Sequence, residues 1–307
     1  MTGRLRLNPR GGKRMAGTTD ATVARRQLSR RLRELREAVP MTQEQAAELM
    51  EWSVSKLSRI EKGQNGVRAM DVENMCNIYR RPDQADRLGA LARAAKNRSW
   101  WHAYSDVIPE GFDVYIGLEP AADRFRWYES GLIPGIFQTA DYARTLIRTD
   151  HPEDTADEIE RRVQLRLTRQ SLLTREDSPQ RWHVVLDEAI LHRPIGSPAI
   201  MLAQLERLLE VSELPNVTIR IVPFHIGMHT GVTAGSHVLL DFPNSADAQF
   251  AEATTVYVEG WTGALCIDQA DVVARYERAF DGIARAALSS EDSRAMISKA
   301  VKEMNAK

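Results

Sequence analysis

The chain has 307 residues, of which 43% are hydrophobic and 27% charged, an ordinary globular composition with room for about two domains. Its net charge of −1 hides an asymmetry: residues 1–64 hold 14 Lys+Arg against 7 Asp+Glu, whereas residues 65–307 hold 27 against 35. No run reaches the ~18 apolar residues of a membrane span, the amino terminus lacks a signal peptide's apolar core, and the two distant cysteines, Cys76 and Cys266, make neither a disulfide framework nor a zinc site; a cytoplasmic protein is expected, with no membrane association and no cofactor.

Residues 1–21 are basic, Gly-rich and aperiodic, and read as a disordered tail. Met15, ahead of Ala16-Gly17-Thr18-Thr19-Asp20, reads as the true start; the other reading makes the tail an arm that samples the minor groove. From Val23 the period becomes helical, with Leu28, Leu32 and Leu35 on one face and Arg30, Arg31, Arg33 and Arg36 on the others. Thr42, with Gln45 three residues on, forms a capping box for a short helix to about Met50. Ser53 caps a second, from Val54 to Lys62, which Gly63 stops. After Gly66 come a fourth helix carrying Val72, Met75, Cys76 and Tyr79, and a fifth from Ala85 to about Asn97. Residues 22–98 are thus expected to form an all-α, five-helix domain.

Residues 99–307 read as a second, mixed domain with helices around a small sheet, α+β overall. The aromatic run Trp100-Trp101-His102-Ala103-Tyr104 points to a buried junction. From Phe112 to Arg144 the pattern reads as a helix, a tight turn at Pro134-Gly135 and a helix capped at Thr139; residues 157–174 are strongly helical. Beyond residue 180 the period drops to two, with short β-rich runs at 182–186, 217–222, 237–242 and 254–259, separated first by an amphipathic helix at about 198–213. Two helices, about 268–287 and 290–304, close the chain.

The residues from Thr42 to Gly63 carry the chemistry. Ala46, Ala47 and Met50 can meet Leu57 and Ile60, and the small alanines let two short helices cross closely. Val54, Ser55, Lys56, Arg59 and Lys62 then point outward, and hydroxyl and cationic side chains near a helix start suit base edges and phosphates in a major groove. The net positive head is the charge distribution that phosphate neutralisation requires.

The segment resembles the Xre (lambda-repressor-like) helix-turn-helix family through Thr42-Gln43, Ala47 and Ser53-Val54-Ser55-Lys56-Leu57-Ser58-Arg59-Ile60-Glu61-Lys62-Gly63. Glu51 stands where that family usually has a turn glycine, so a strained backbone is expected there. The resemblance implies that Gln43 anchors a phosphate and that Val54, Ser55, Lys56 and Arg59 face bases. Ser53, Ser58 and Lys62 complete the expected DNA-binding set, with Ser58 and Lys62 on the backbone; Arg68 is expected to join them there, and Glu61 reads as structural.

The body resembles the large domain of unknown function that follows the Xre domain in many actinobacterial-type regulators, through Tyr128-Glu129-Ser130-Gly131-Leu132-Ile133-Pro134-Gly135, Leu186-Asp187-Glu188-Ala189 and Leu240-Asp241-Phe242-Pro243. That resemblance implies an antitoxin-like regulator paired with a small partner protein from an adjacent gene.

Enzymatic signatures are lacking: no GxxxxGK[ST], GxGxxG, GxSxG or HExxH occurs. His225, His229 and His237 are the nearest approach to a metal cluster, but they sit in a loop rather than along one helix face, and Asp187, Glu188 and Asp241 read as strand-end caps. The expected function is sequence-specific binding of double-stranded DNA by a homodimeric transcriptional regulator. The alternatives are an antitoxin-like protein that chiefly neutralises its partner and a small-molecule sensor.

Overall fold

A computed structural model describes residues 21–97, 99–109, 111–244 and 251–306. The basic tail, Ala21 apart, and the choice of Met15 as a start lie outside the described residues. Five helices make the head: α1 (Ala21–Ala38), α2 (Gln43–Leu49), α3 (Val54–Glu61), α4 (Ala69–Ile78) and α5 (Ala85–Ala94). Leu28, Leu32 and Leu35 of α1 close over Ala46, Ala47, Met50, Leu57, Ile60, Val72, Met75 and Tyr79 in one buried cluster. The capping box at Thr42 is complete, because its hydroxyl accepts from Gln45 N while the Gln45 side chain accepts from Thr42 N. Glu51 has a φ of 54°, the left-handed conformation expected where a glycine is missing.

The body follows in the order α6 (Phe112–Leu118), β1 (Arg124–Glu129), α7 (Ala140–Asp150), α8 (Ala156–Arg169), β2 (Arg181–Asp187), α9 (Ala189–His192), α10 (Pro198–Ser212), β3 (Val217–Val222), α11 (Thr230–Ala234), β4 (His237–Asp241), β5 (Thr255–Gly260), β6 (Gly263–Ile267), α12 (Ala270–Ala286) and α13 (Ser290–Asn305). The chain is α+β, but the sheet is larger than the four β-rich runs suggest. It has six strands in the order β3-β2-β1-β4-β5-β6, with β1, β2 and β3 parallel and the remainder antiparallel. The continuous helix–turn–helix reading of residues 112–144 is therefore corrected: β1 lies inside it, and the Pro-Gly turn becomes a 3-10 turn at Gly135–Phe137. Thr139 does cap α7, accepting from Tyr142 N.

Successive strand residues alternate faces, and both faces of the central strands are covered, which is why Val184-Val185-Leu186 and Val238-Leu239-Leu240 are continuously apolar. Phe125, Trp127, Trp182, Val184 and Leu240 join the larger core with α7, α10 and α13, and Phe125 stacks on its register partner Trp182 at 3.8 Å. Tyr128, Val185, Leu239 and Val256 face the other way, onto Val273, Phe280 and Ile283 of α12. Arg124 and Arg126 stand between these apolar positions. They are held by Asp241 at 2.7 and 2.8 Å, and Arg126 also reaches Glu277 at 2.8 Å.

Head and body share α1. Val23 belongs to the body core while Leu28 onward belongs to the head. Thr22 sits so close to Gly117 that a Cβ there would lie 2.1 Å from the threonine hydroxyl. Arg26 Nε donates to Glu252 Oε1 at 2.9 Å and its Nη2 to Asp268 Oδ2 at 2.9 Å, and Arg30 donates to Ala251 O at 2.6 Å. The aromatic run 100–104 forms a 3-10 turn against α6 and α8, with Trp101 half-buried and Trp100 more open.

At the end of β1, burial pushes the Glu129 carboxyl up to about 7, although Ser236 and Trp127 Nε1 hydrogen-bond its charged form. A folded-state value above the ordinary carboxylate range stabilises the fold when the group is protonated, and this stabilisation is lost as pH rises from about 4.5 through 7. Glu129→Gln is expected to abolish that part of the pH dependence and to raise stability at pH 8 by about 2 kcal/mol over the parent, with little change at pH 4, in paired thermal melts.

Candidate nucleic-acid interface

The geometry of α3 starts from its inward face. Leu57 and Ile60 are buried, and so is Glu61, at 3% exposure. At about 100° per residue these three fill one side of α3, so Ser55, Arg59 and Lys62 fall on the opposite side with Val54 and Lys56 flanking them. All five are exposed, whereas Ser58 is half-buried. Ser53 is exposed but its hydroxyl accepts from Lys56 N at 3.2 Å, so it serves first as the helix cap. Lys62 ends the helix, far from its amino terminus, and lines a cleft against the body.

Two cations on this surface are held by neighbours rather than swinging free. Lys56 Nζ sits 3.6 Å above the Trp52 ring, and Arg59 Nη2 donates to Ser55 Oγ at 3.1 Å. Trp52 was not among the expected binding residues, and it orients one that was. Val54 puts an apolar side chain, 38% exposed, at the first helical position.

Beneath lies a buried network. Arg36 is 7% exposed, which corrects its expected place on an outer face of α1. Its Nε and Nη2 donate to the two Glu61 carboxylate oxygens at 2.6 and 2.9 Å, and its Nη1 donates to Met41 O at 2.7 Å. Its hydrogen bonds to Glu61 raise the Arg36 pKa above its ordinary value. Gln43, at the first position of α2, donates to Glu61 Oε2 at 2.7 Å. Its amide is thus tied to the network at the helix start. The sequence signal for this partnership was Glu61 itself, a carboxylate four residues after buried Leu57 and next to buried Ile60, which demands a buried cation.

Residues 27–88 match the model of a helix-turn-helix domain, and residues 112–299 match the model of a domain of unknown function, DUF5753. The chain belongs to the DUF5753 family. No curated protein and no solved structure matches it. The helix-turn-helix head carries the exposed α3 surface, and the DUF5753 body carries the six-stranded sheet.

Within that body the residues considered for metal or acid chemistry are engaged structurally, except His225, which is exposed on the turn Phe224–Ile226. His237 Nδ1 lies 2.8 Å from Gly235 O, and His229 Nδ1 accepts from Gly231 N at 3.2 Å. Asp187 accepts from Ala189 N at 2.9 Å and Glu188 from Phe224 N at 2.6 Å, as strand-end caps do. Asp241 instead is buried between Arg124 and Arg126. Among the described residues no three His, Cys, Asp or Glu side chains are grouped to hold a metal ion, and no helix is long and apolar enough to cross a membrane.

Removing one member of the Arg36–Glu61 pair strands the other in the core. Glu61→Ala is expected to cost about 3–5 kcal/mol, and Arg36→Met with Glu61→Leu to recover most of it, in denaturant unfolding of the full chain. Equal stability of Glu61→Ala and the parent would refute the pair's structural role.

Proposed function

We propose that the protein is a sequence-specific transcriptional regulator of the Xre type, which binds double-stranded DNA as a homodimer in the cytoplasm and whose body receives a partner protein or signal. The observation that carries this reading is the exposed row Val54, Ser55, Lys56 and Arg59 at the amino-terminal part of α3, on the basic end of a chain with an otherwise acidic balance. In this reading Arg59 reaches guanine O6 and N7, Val54 meets a thymine methyl, and Lys56 and Ser55 meet base edges or phosphates. Ser53, Ser58 and Lys62 make backbone contacts that fix register without specifying sequence. Gln43 serves the phosphate backbone from the start of α2, where the helix dipole favours an anion. One such helix reads only a few base pairs, so two half-sites about one helical turn apart supply the length of a specific operator.

The chain's own promoter is the first DNA to test, by footprinting and gel shift at several salt concentrations. Lys56→Ala with Arg59→Ala is expected to weaken operator binding about 100-fold or more while leaving the melting temperature near that of the parent, since each base contact contributes about 1–3 kcal/mol of discrimination. Unchanged operator affinity in that double variant would sink the assignment of α3. If the chain binds no DNA and instead co-purifies with the product of an adjacent gene, the antitoxin-like alternative stands in its place.

A further inference from the structure

A cleft of about 1090 Å³ lies between head and body, and its two walls are chemically unlike. One wall is α1 with the turn after α3, which contribute Arg25, Arg30, Arg33 and Lys62. Among the described residues Arg33 and Lys62 are exposed without an ion pair, and the buried Nε of Arg25 has no hydrogen-bond partner. Arg26 is committed to Glu252 and Asp268, Arg30 lies 3.8 Å from Glu252 Oε2, Arg25 Nη2 donates to Ala95 O at 3.4 Å and Glu61 is tied to Arg36, which leaves Arg33 and Lys62 as the exposed cations of this wall; exposed Asp113 of α6 also lines the cleft. The other wall is β6, whose sole ladder partner among the described residues is β5. Its Leu265 is 62% exposed and pairs across the hairpin with half-buried Val258, and Trp261 at the hairpin tip is 92% exposed. Gly111 comes close to Ala264 O, where a Cβ would stand 2.8 Å away, and α6 packs beside β6; Gly263, Ala264, Leu265 and Cys266 line the cleft.

We propose that this cleft takes an acidic, extended peptide segment of a partner protein, laid along β6 with its apolar side chains on Leu265 and Val258 and its carboxylates toward Arg25, Arg33 and Lys62. An open strand edge supplies the main-chain hydrogen bonds of strand addition, and alternate side chains of the added strand then face opposite walls. A purely apolar occupant would leave the cations of α1 desolvated and unpaired, which is costly; a small anion would leave Leu265 uncovered. The chain's own tail is basic and fits neither wall's need. The proposal deepens the partner-receiving part of the reading above and does not rest on DNA binding.

The probe is a fluorescein-labelled heptapeptide of alternating glutamate and valine, with a lysine–valine counterpart, titrated against the full chain at low ionic strength. Only the acidic peptide is expected to bind, and it is expected to slow amide hydrogen exchange in residues 263–267. Arg25→Glu with Arg33→Glu is expected to weaken the acidic peptide at least about tenfold and to admit the lysine peptide, while Leu265→Lys weakens both in the parent background. The proposal is overturned if the acidic peptide does not bind, if both peptides bind the parent alike, if binding leaves exchange in 263–267 unchanged as a small-anion site would, or if those amides are protected without peptide by a second copy of the chain. Gel shifts on the same preparations separate the readings, because lost operator binding with retained peptide binding counts against the DNA assignment alone.

Discussion

The orientation of the whole molecule depends on α1 being part of two cores at once. Its first turns bury Val23 in the body, and its later turns bury Leu28, Leu32 and Leu35 in the head. A helix is stiff over this length, so the two cores are coupled through an element neither can give up. Arg26 fixes the rotation of the helix about its axis, because Glu252, Asp268 and Thr255 all draw on one guanidinium. Glu252 is almost wholly buried, and burial raises its carboxyl against the pull of Arg26 and Arg30. Losing the arginine would leave that carboxylate without its compensation, a far larger cost than a surface ion pair's.

The second buried pair, Arg36–Glu61, does for the reading surface what Arg26 does for the domains. A short helix such as α3 has little stability of its own and takes its position from what it packs against. Leu57 and Ile60 supply adhesion but tolerate small slides. The bidentate Arg36–Glu61 geometry does not, and Gln43 extends it to the start of α2. The network therefore links the amino-terminal end of one helix, the body of the next and the end of α1. Lys56 over Trp52 and Arg59 on Ser55 then limit the cations at the surface, which reduces the side-chain entropy lost on meeting DNA.

Local signals made the head legible before its structure was known. Thr42 with Gln45, Ser53 before Val54, and Gly63 after Lys62 are caps whose chemistry acts within a few residues, and the structure uses all three. Strands β2 to β5 were legible for a related reason, since their β-branched runs are bounded by turn residues. What was lost depended on distant partners. β1 carries Arg124 and Arg126 among its apolar residues, and these make sense as strand positions only beside Asp241, more than 100 residues away in sequence. β6 is a short, half-exposed edge whose residues Gly263-Ala264-Leu265-Cys266-Ile267 show weak alternation. Arg36 looked like one more solvated arginine because its partner comes 25 residues later, on another helix.

The two edges of the sheet are treated differently, and the difference bears on the proposed docking of a strand. β3 is sealed: Ile221 N donates to Ser293 Oγ at 2.9 Å and Ile221 O accepts from Leu288 N at 2.8 Å, so the start of α13 occupies the place of a further strand. β6 has no further strand beside it among the described residues and is covered only in part, where Gly111 approaches Ala264 O, and an open edge invites indiscriminate pairing. The arginines of α1 stand opposite it. A neutral or basic strand entering there would have to desolvate those cations with nothing in exchange, whereas an acidic one would neutralise them. The same charges thus exclude most strands and select the remainder. Because Lys62, Gly63 and Gln64 also line that space, an occupant of the body's open edge would touch the carboxy-terminal end of α3, whose amino-terminal part is the surface proposed to meet DNA.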